Sequence, residues 1–155
     1  MPKHQYQLHL RWTGNTGKGT SSYTAYERNY EVKAEGKPVL HGSADPAFRG
    51  DPARYNPEEM LIASLSACHK LWYLHLCSEA GITVIAYEDH AEGQMAQRAN
   101  GGGHFEWVQL HPKVTIQEAG KQQLAAQLHE RAHDLCFIAN SCNFPVRCLP
   151  EISTS

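Results

Sequence analysis

The chain has 155 residues, with 14 Lys and Arg against 16 Asp and Glu, 10 His, and apolar residues at 41%. That length supports one domain with a real core, because chains of this size bury roughly two-thirds of their unfolded surface. A formal net charge of −2 leaves no electrostatic footprint for nucleic acid, and no apolar run approaches the roughly 20 residues that span a bilayer.

The first residues, Met1-Pro2-Lys3-His4-Gln5-Tyr6, lack the apolar core of a secretory signal, so a soluble, cytoplasmic protein is expected. From Gln5 to Thr13 polar and apolar residues alternate, with Tyr6, Leu8, Leu10 and Trp12 on one face, which predicts a half-buried strand. Turn chemistry follows at Gly14–Gly19, and Tyr23 to Val32 reads as the returning strand. Ala34 to Tyr55, punctuated by Gly36, Pro38, Gly42, Pro46, Gly50 and Pro52, reads as a long irregular stretch. Segments of that kind are usually functional or cover a partner. Asn56-Pro57-Glu58-Glu59 is a strong helix start, with an N-cap, a first-turn proline and acids at the positive end of the dipole. The helix is predicted to run to Ala80, stopped by Gly81. Its apolar residues cover more than one face, so it belongs in the middle of a structure. Thr83–Met95 and His104–Gln117 read as strands, Lys121–Leu135 as an amphipathic helix, and Pro145–Ile152 as a last strand. The order β-β-α-β-β-α-β predicts a single α+β domain over residues 1–155.

Five cysteines, Cys68, Cys77, Cys136, Cys142 and Cys148, form an odd set without C-x-x-C spacing, which argues against a disulfide framework. Cys68 sits mid-helix among the small residues of Ser64-Leu65-Ser66-Ala67-Cys68, where a ligand can approach the sulfur. A small core cysteine is the plainer reading. Cys136 ends the second helix and is open to the same two readings. His129-Glu130-Arg131-Ala132-His133 fits the H-E-x-x-H zinc pattern, two imidazoles on one helical face with a glutamate base. Little chain follows to supply a third ligand, Glu151 being the one late carboxylate, so zinc hydrolysis is the weakest reading. The other histidines, among them His69, His75, His90, His104 and His111, show no repeated ligand spacing and are expected to be solvated or satisfied. No metal and no cofactor is assigned.

Asn56-Pro57-Glu58-Glu59-Met60-Leu61-Ile62-Ala63-Ser64-Leu65-Ser66-Ala67-Cys68 resembles the N-P-E-E-L…A-A-C helix of the OsmC/Ohr superfamily (osmotically inducible protein C and organic hydroperoxide resistance proteins). Ala132-His133-Asp134-Leu135-Cys136-Phe137-Ile138-Ala139-Asn140 is similar to the family's second cysteine segment, with Phe137 in place of the usual proline. The resemblance implies an intertwined α+β homodimer with long central helices and thiol-dependent reduction of organic hydroperoxides. It implies Cys68 as the peroxidatic cysteine, Cys136 as the resolving one and Glu58 as the site glutamate. It also implies a loop arginine, for which Arg49 has the closest spacing and Arg54 and Arg28 are further candidates. A dithiol, such as a lipoylated protein, would be the reductant.

The chemistry is coherent, since only thiolate attacks the O–O bond and a neighbouring guanidinium favours that form. Ten helical residues rise about 15 Å, so Glu58 and Cys68 of one straight helix cannot meet around one arginine. If both serve one site, two chains combine. A family member that binds an apolar ligand at the dimer interface, with little peroxidase activity, is the alternative that Phe137, Trp72 and Tyr73 leave open.

Overall fold

A computed structural model describes residues 1–155. The chain forms two compact units, Met1–Met60 and Leu61–Ser155, and the division falls inside a helix rather than at a linker. The first unit holds an antiparallel sheet of β1 (His9–Trp12), β2 (Tyr30–Lys33) and β3 (Leu40–Gly42), in the order β1-β2-β3. Trp12 pairs with Tyr30 and His9 with Lys33. The second strand is far shorter than the alternation predicts because Arg28 folds the preceding residues back. Its guanidinium donates to the Tyr26 and Tyr23 carbonyls at 2.6 and 2.7 Å and lies over both rings. The alternation holds in β1, yet Leu10 and Trp12 on it, and Tyr6 and Leu8 before it, are exposed in the single chain rather than half-buried.

The stretch expected to be irregular contains β3 and a 3-10 turn, Pro46–Phe48. Asp45 opens that turn by accepting the Ala47 N–H at 2.7 Å. Fully buried Ser43 closes the loop, its hydroxyl accepting the Asp51 N–H at 3.0 Å. Gly50 is obligatory because a Cβ there would enter the Ala44 carbonyl.

Helix α1 (Pro57–Glu79) starts on a reciprocal capping box. Glu59 N–H donates to the Asn56 side chain at 2.8 Å, and Asn56 N–H donates to the Glu59 carboxylate at 3.1 Å. It ends at Gly81, whose φ of 69° supplies the left-handed residue that lets Ile82 N–H reach the Cys77 carbonyl at 2.8 Å. Its buried side chains, Leu65, His69, Tyr73 and Cys77, recur every four residues and form one stripe.

In the second unit the element order holds, but each of the three expected strands breaks in two. Val84–Asp89 (β4) and Glu92–Gln97 (β5) replace the first, Gly103–Leu110 (β6) and Pro112–Ile116 (β7) the second. Helix α2 (Gln122–Leu135) follows, and Val146–Cys148 (β8) and Glu151–Thr154 (β9) replace the third. The breaks divide the strands between two sheets, β4-β7-β9 and β5-β6-β8. Pro112 and Pro150 lack the N–H that an unbroken ladder needs. Asp89 holds the break together, accepting the His111 N–H at 2.7 Å and the Ser66 hydroxyl of α1. Two core clusters result. Tyr73, Cys77, Ile82, Val114, Ile116, Ala125 and Ala132 pack between α1, α2 and the first of these sheets. Leu65, Val108 and Leu110 centre the second cluster.

Candidate active site

Cys68 lies at the middle of α1, partly exposed, one position from the buried stripe. Cys136 is buried as the C-cap of α2, its N–H donating to the His133 carbonyl at 3.2 Å. The residues after it fold into a 3-10 turn, Ala139–Ser141. Asn140 fastens that turn back by donating to the Asp134 carbonyl at 3.0 Å. Cys136 thus lies beside Cys68 of α1, near enough for that thiol to shift its own. Burial pushes the Cys136 thiol up to about 11; the Ala139 N–H, donated to its sulfur at 3.5 Å, draws it down, and the adjacent Cys68 thiol adds to the rise. Cys136 is therefore a protonated thiol at neutral pH, more deeply buried than Cys68.

The Cys68 sulfur opens onto an apolar cleft of about 360 Å³ lined by Leu71, Trp72, His75 and Phe137. Phe137 stands edge-on to Trp72, with ring centroids 5.6 Å apart. Its departure from the family's proline thus adds apolar wall beside the two cysteines.

The other predicted residues fall in the first unit. Glu58 is partly buried in the first turn of α1, and its charge raises the Tyr30 hydroxyl, after burial. Arg28 is committed to the Tyr23 and Tyr26 carbonyls, and Arg54 lies 3.7 Å from the Asp51 carboxylate. Arg49 is exposed, makes no ion pair, and takes a left-handed backbone at φ 65°. That conformation closes the Pro46–Phe48 turn, with the Arg49 N–H donating to the Pro46 carbonyl at 3.0 Å. Cys77 packs in the core beside Tyr73, and Cys142 donates to the Ile138 carbonyl at 3.3 Å. Burial pushes both thiols up, which suits packing roles.

Spacing did not reveal the company kept by Cys148. His69 Nε2 and His129 Nδ1 are 2.9 Å apart, and the Cys148 sulfur stands 3.6 and 3.7 Å from them. Within the H-E-x-x-H segment, His129 is therefore turned inward to α1 while Glu130 faces out. The signal was present: a histidine interrupts the four-residue apolar repeat of α1.

Residues 50–148 match the family model described as OsmC-like protein, a span that includes Glu58, Cys68 and Cys136. The chain belongs to the OsmC-like family. An OsmC-like protein of unknown function from Vibrio cholerae is 26% identical with a TM-score of 0.85, over 96% of this chain and 100% of that one. An organic hydroperoxide resistance protein from Elizabethkingia anophelis is 23% identical, with a TM-score of 0.66 over 99% and 100% of the two chains. One from Legionella pneumophila is 21% identical, with a TM-score of 0.69 over 97% and 99%. At those identities the last two share the fold of this OsmC-like chain. No curated protein matches it.

Proposed function

We propose that this OsmC-like protein is a cytoplasmic, thiol-dependent peroxidase that reduces organic hydroperoxides with Cys68 and Cys136. The observation that supports this reading is the nearness of the two motif cysteines, with Cys68 lining an apolar cleft. Cys68 thiolate attacks the terminal oxygen of ROOH and the O–O bond breaks. The departing alkoxide takes a proton and leaves as ROH, and Cys68 becomes a sulfenic acid. The Cys136 sulfur then displaces that hydroxyl, giving a Cys68–Cys136 disulfide and one water. An external dithiol reduces the disulfide by exchange, being itself oxidised. Burial raises the Cys136 thiol, which suits a resolving sulfur that stays protonated until a sulfenic acid is there to accept it.

Arg49 would favour the Cys68 thiolate, and Glu58 would hold its guanidinium in a bidentate pair. Glu58 and Cys68 are ten positions apart on α1, about 15 Å of helix. The site is therefore completed across a homodimer, with Arg49 and Glu58 from one protomer and the cysteines from its partner.

The test is dihydrolipoamide-dependent turnover of cumene hydroperoxide against hydrogen peroxide. Each CH₂ buried in the cleft contributes roughly 0.8 kcal/mol, so cumene hydroperoxide should show kcat/KM at least ten-fold higher. Equal or better turnover of hydrogen peroxide would contradict the reading.

A further inference from the structure

The buried stripe of α1 carries one polar interruption, His69, and the buried face of α2 carries another, His129. Each is 2% exposed, and their rings lie parallel within 5°, centroids 5.2 Å apart. Cys148, at the end of β8, closes the triangle from a third element. The two nitrogens and the sulfur all lie within 4.8 Å of one another. Tyr73, one turn along α1, stacks on His129 at 3.8 Å and walls the set off on one side. As a plain hydrogen-bonded pair the arrangement is poor, since His129 Nε2 is buried with no partner.

We propose that His69 Nε2, His129 Nδ1 and Cys148 Sγ form a three-ligand site for a thiophilic divalent cation of the zinc type. Zinc bonds of about 2.0–2.1 Å to nitrogen and 2.3 Å to sulfur, at tetrahedral angles, place two nitrogens about 3.3 Å apart and nitrogen and sulfur about 3.6 Å apart. The observed nitrogen–sulfur separations of 3.6 and 3.7 Å meet that requirement. The nitrogens, at 2.9 Å, must part by about 0.4 Å, a small rotation of two rings.

The donor chemistry agrees with the geometry. Burial holds His69 and His129 well below the usual histidine range, at about 4 and about 3, so both rings are neutral ligands at pH 7. Burial also pushes the Cys148 thiol up to about 12, so the cation must displace its proton. Uptake of one ion forms one metal–sulfur bond and releases one proton.

His129 and Cys148 also line a cleft of about 530 Å³, beside Glu130, His133 and Asp134, from which a fourth ligand could approach. A three-ligand site with one open position is the arrangement that admits water or a small ligand. This is not the H-E-x-x-H scheme, because the second and third ligands come from α1 and β8 rather than from His133. His69 adjoins Cys68 on α1, but neither Cys68 nor Cys136 is among the three ligands, and cation uptake needs no peroxide.

The test titrates cobalt(II), as a spectroscopic stand-in for zinc, into the full chain, reduced, freed of metal by chelator and kept anaerobic. One cobalt per chain should bind with visible bands of tetrahedral geometry and a near-ultraviolet thiolate-to-cobalt band, and zinc should abolish both. Cys148→Ser should remove the thiolate band, and His129→Gln should weaken binding at least ten-fold. The double variant Cys68→Ser/Cys136→Ser should keep the full spectrum. In the unaltered chain, bound zinc should slow alkylation of Cys148 at least ten-fold without slowing that of Cys68, a readout that survives if a variant fails to fold. Absence of the thiolate band overturns the proposal. So does its survival in Cys148→Ser, its loss in the double variant, or unchanged alkylation of Cys148.

Discussion

Among single residues, the two motif cysteines and the histidines of the metal proposal differ in how far sequence reveals them. Cys68 and Cys136 each sit in a motif that surrounds them, small residues before one and a helix end before the other. Their meeting needs only that α2 stop against the middle of α1. His69, His129 and Cys148 have no local motif; they are separated by 60 and 19 positions and converge from three elements. Arg49 is the residue whose backbone speaks most directly. Its left-handed φ of 65° suits glycine, which adopts that conformation without a Cβ clash. Arg49→Gly should therefore leave stability unchanged or raise it by about 1 kcal/mol, while peroxidase kcat/KM falls at least ten-fold. A thermal melt and a steady-state assay on the same sample check it. Full activity in the variant would remove Arg49 from the site and turn attention to Arg54.

Secondary-structure elements were legible where local chemistry decides them. The capping box and Gly81 bracket α1 almost to the residue, because caps act within one turn. The broken strands were not, because alternation continues across His111 and Leu149 while the ladder hydrogen bonds pass from one sheet to the other. The contact between α1 and α2 carries a pH signature. In the unfolded chain His69 and His129 protonate near their ordinary value of 6.5, whereas in the fold burial delays this to about 4 and about 3. Below pH 6.5 the unfolded state binds protons that the native state refuses, so stability falls as pH falls. The loss grows by at most about 1.4 kcal/mol per pH unit for each histidine. Denaturant unfolding in the presence of chelator should show metal-free protein losing stability from pH 6.5 to 4. His69→Gln/His129→Gln should show a shallower slope, and equal slopes would refute the linkage.

For the molecule as a whole, the single chain leaves apolar side chains unprotected: Leu10 and Trp12 on β1, Tyr6 and Leu8 before it, Tyr55 before α1, and Leu71 and Phe137 around the cleft. Scattered exposed apolar residues are ordinary, but runs of them along one strand face mark association. A homodimer that covers β1 and completes the site is the expected state, and sedimentation equilibrium should return twice the chain mass of 17.3 kDa. A monomer at micromolar concentration would leave Glu58 without a route to Cys68. The family, with its α+β order, could be read from two motifs because both lie on the helices that organise the second unit. The expectation of a dimer rests on helix arithmetic alone, since no local pattern encodes it. The central claim is the cysteine pair. It is tested most directly by mapping thiols by mass spectrometry after one equivalent of cumene hydroperoxide is added to reduced protein. Wild-type protein should then carry a single Cys68–Cys136 disulfide with Cys77, Cys142 and Cys148 free, and Cys136→Ser a trappable sulfenic acid on Cys68. Cys68 still a free thiol, or a disulfide that omits Cys136, would contradict it.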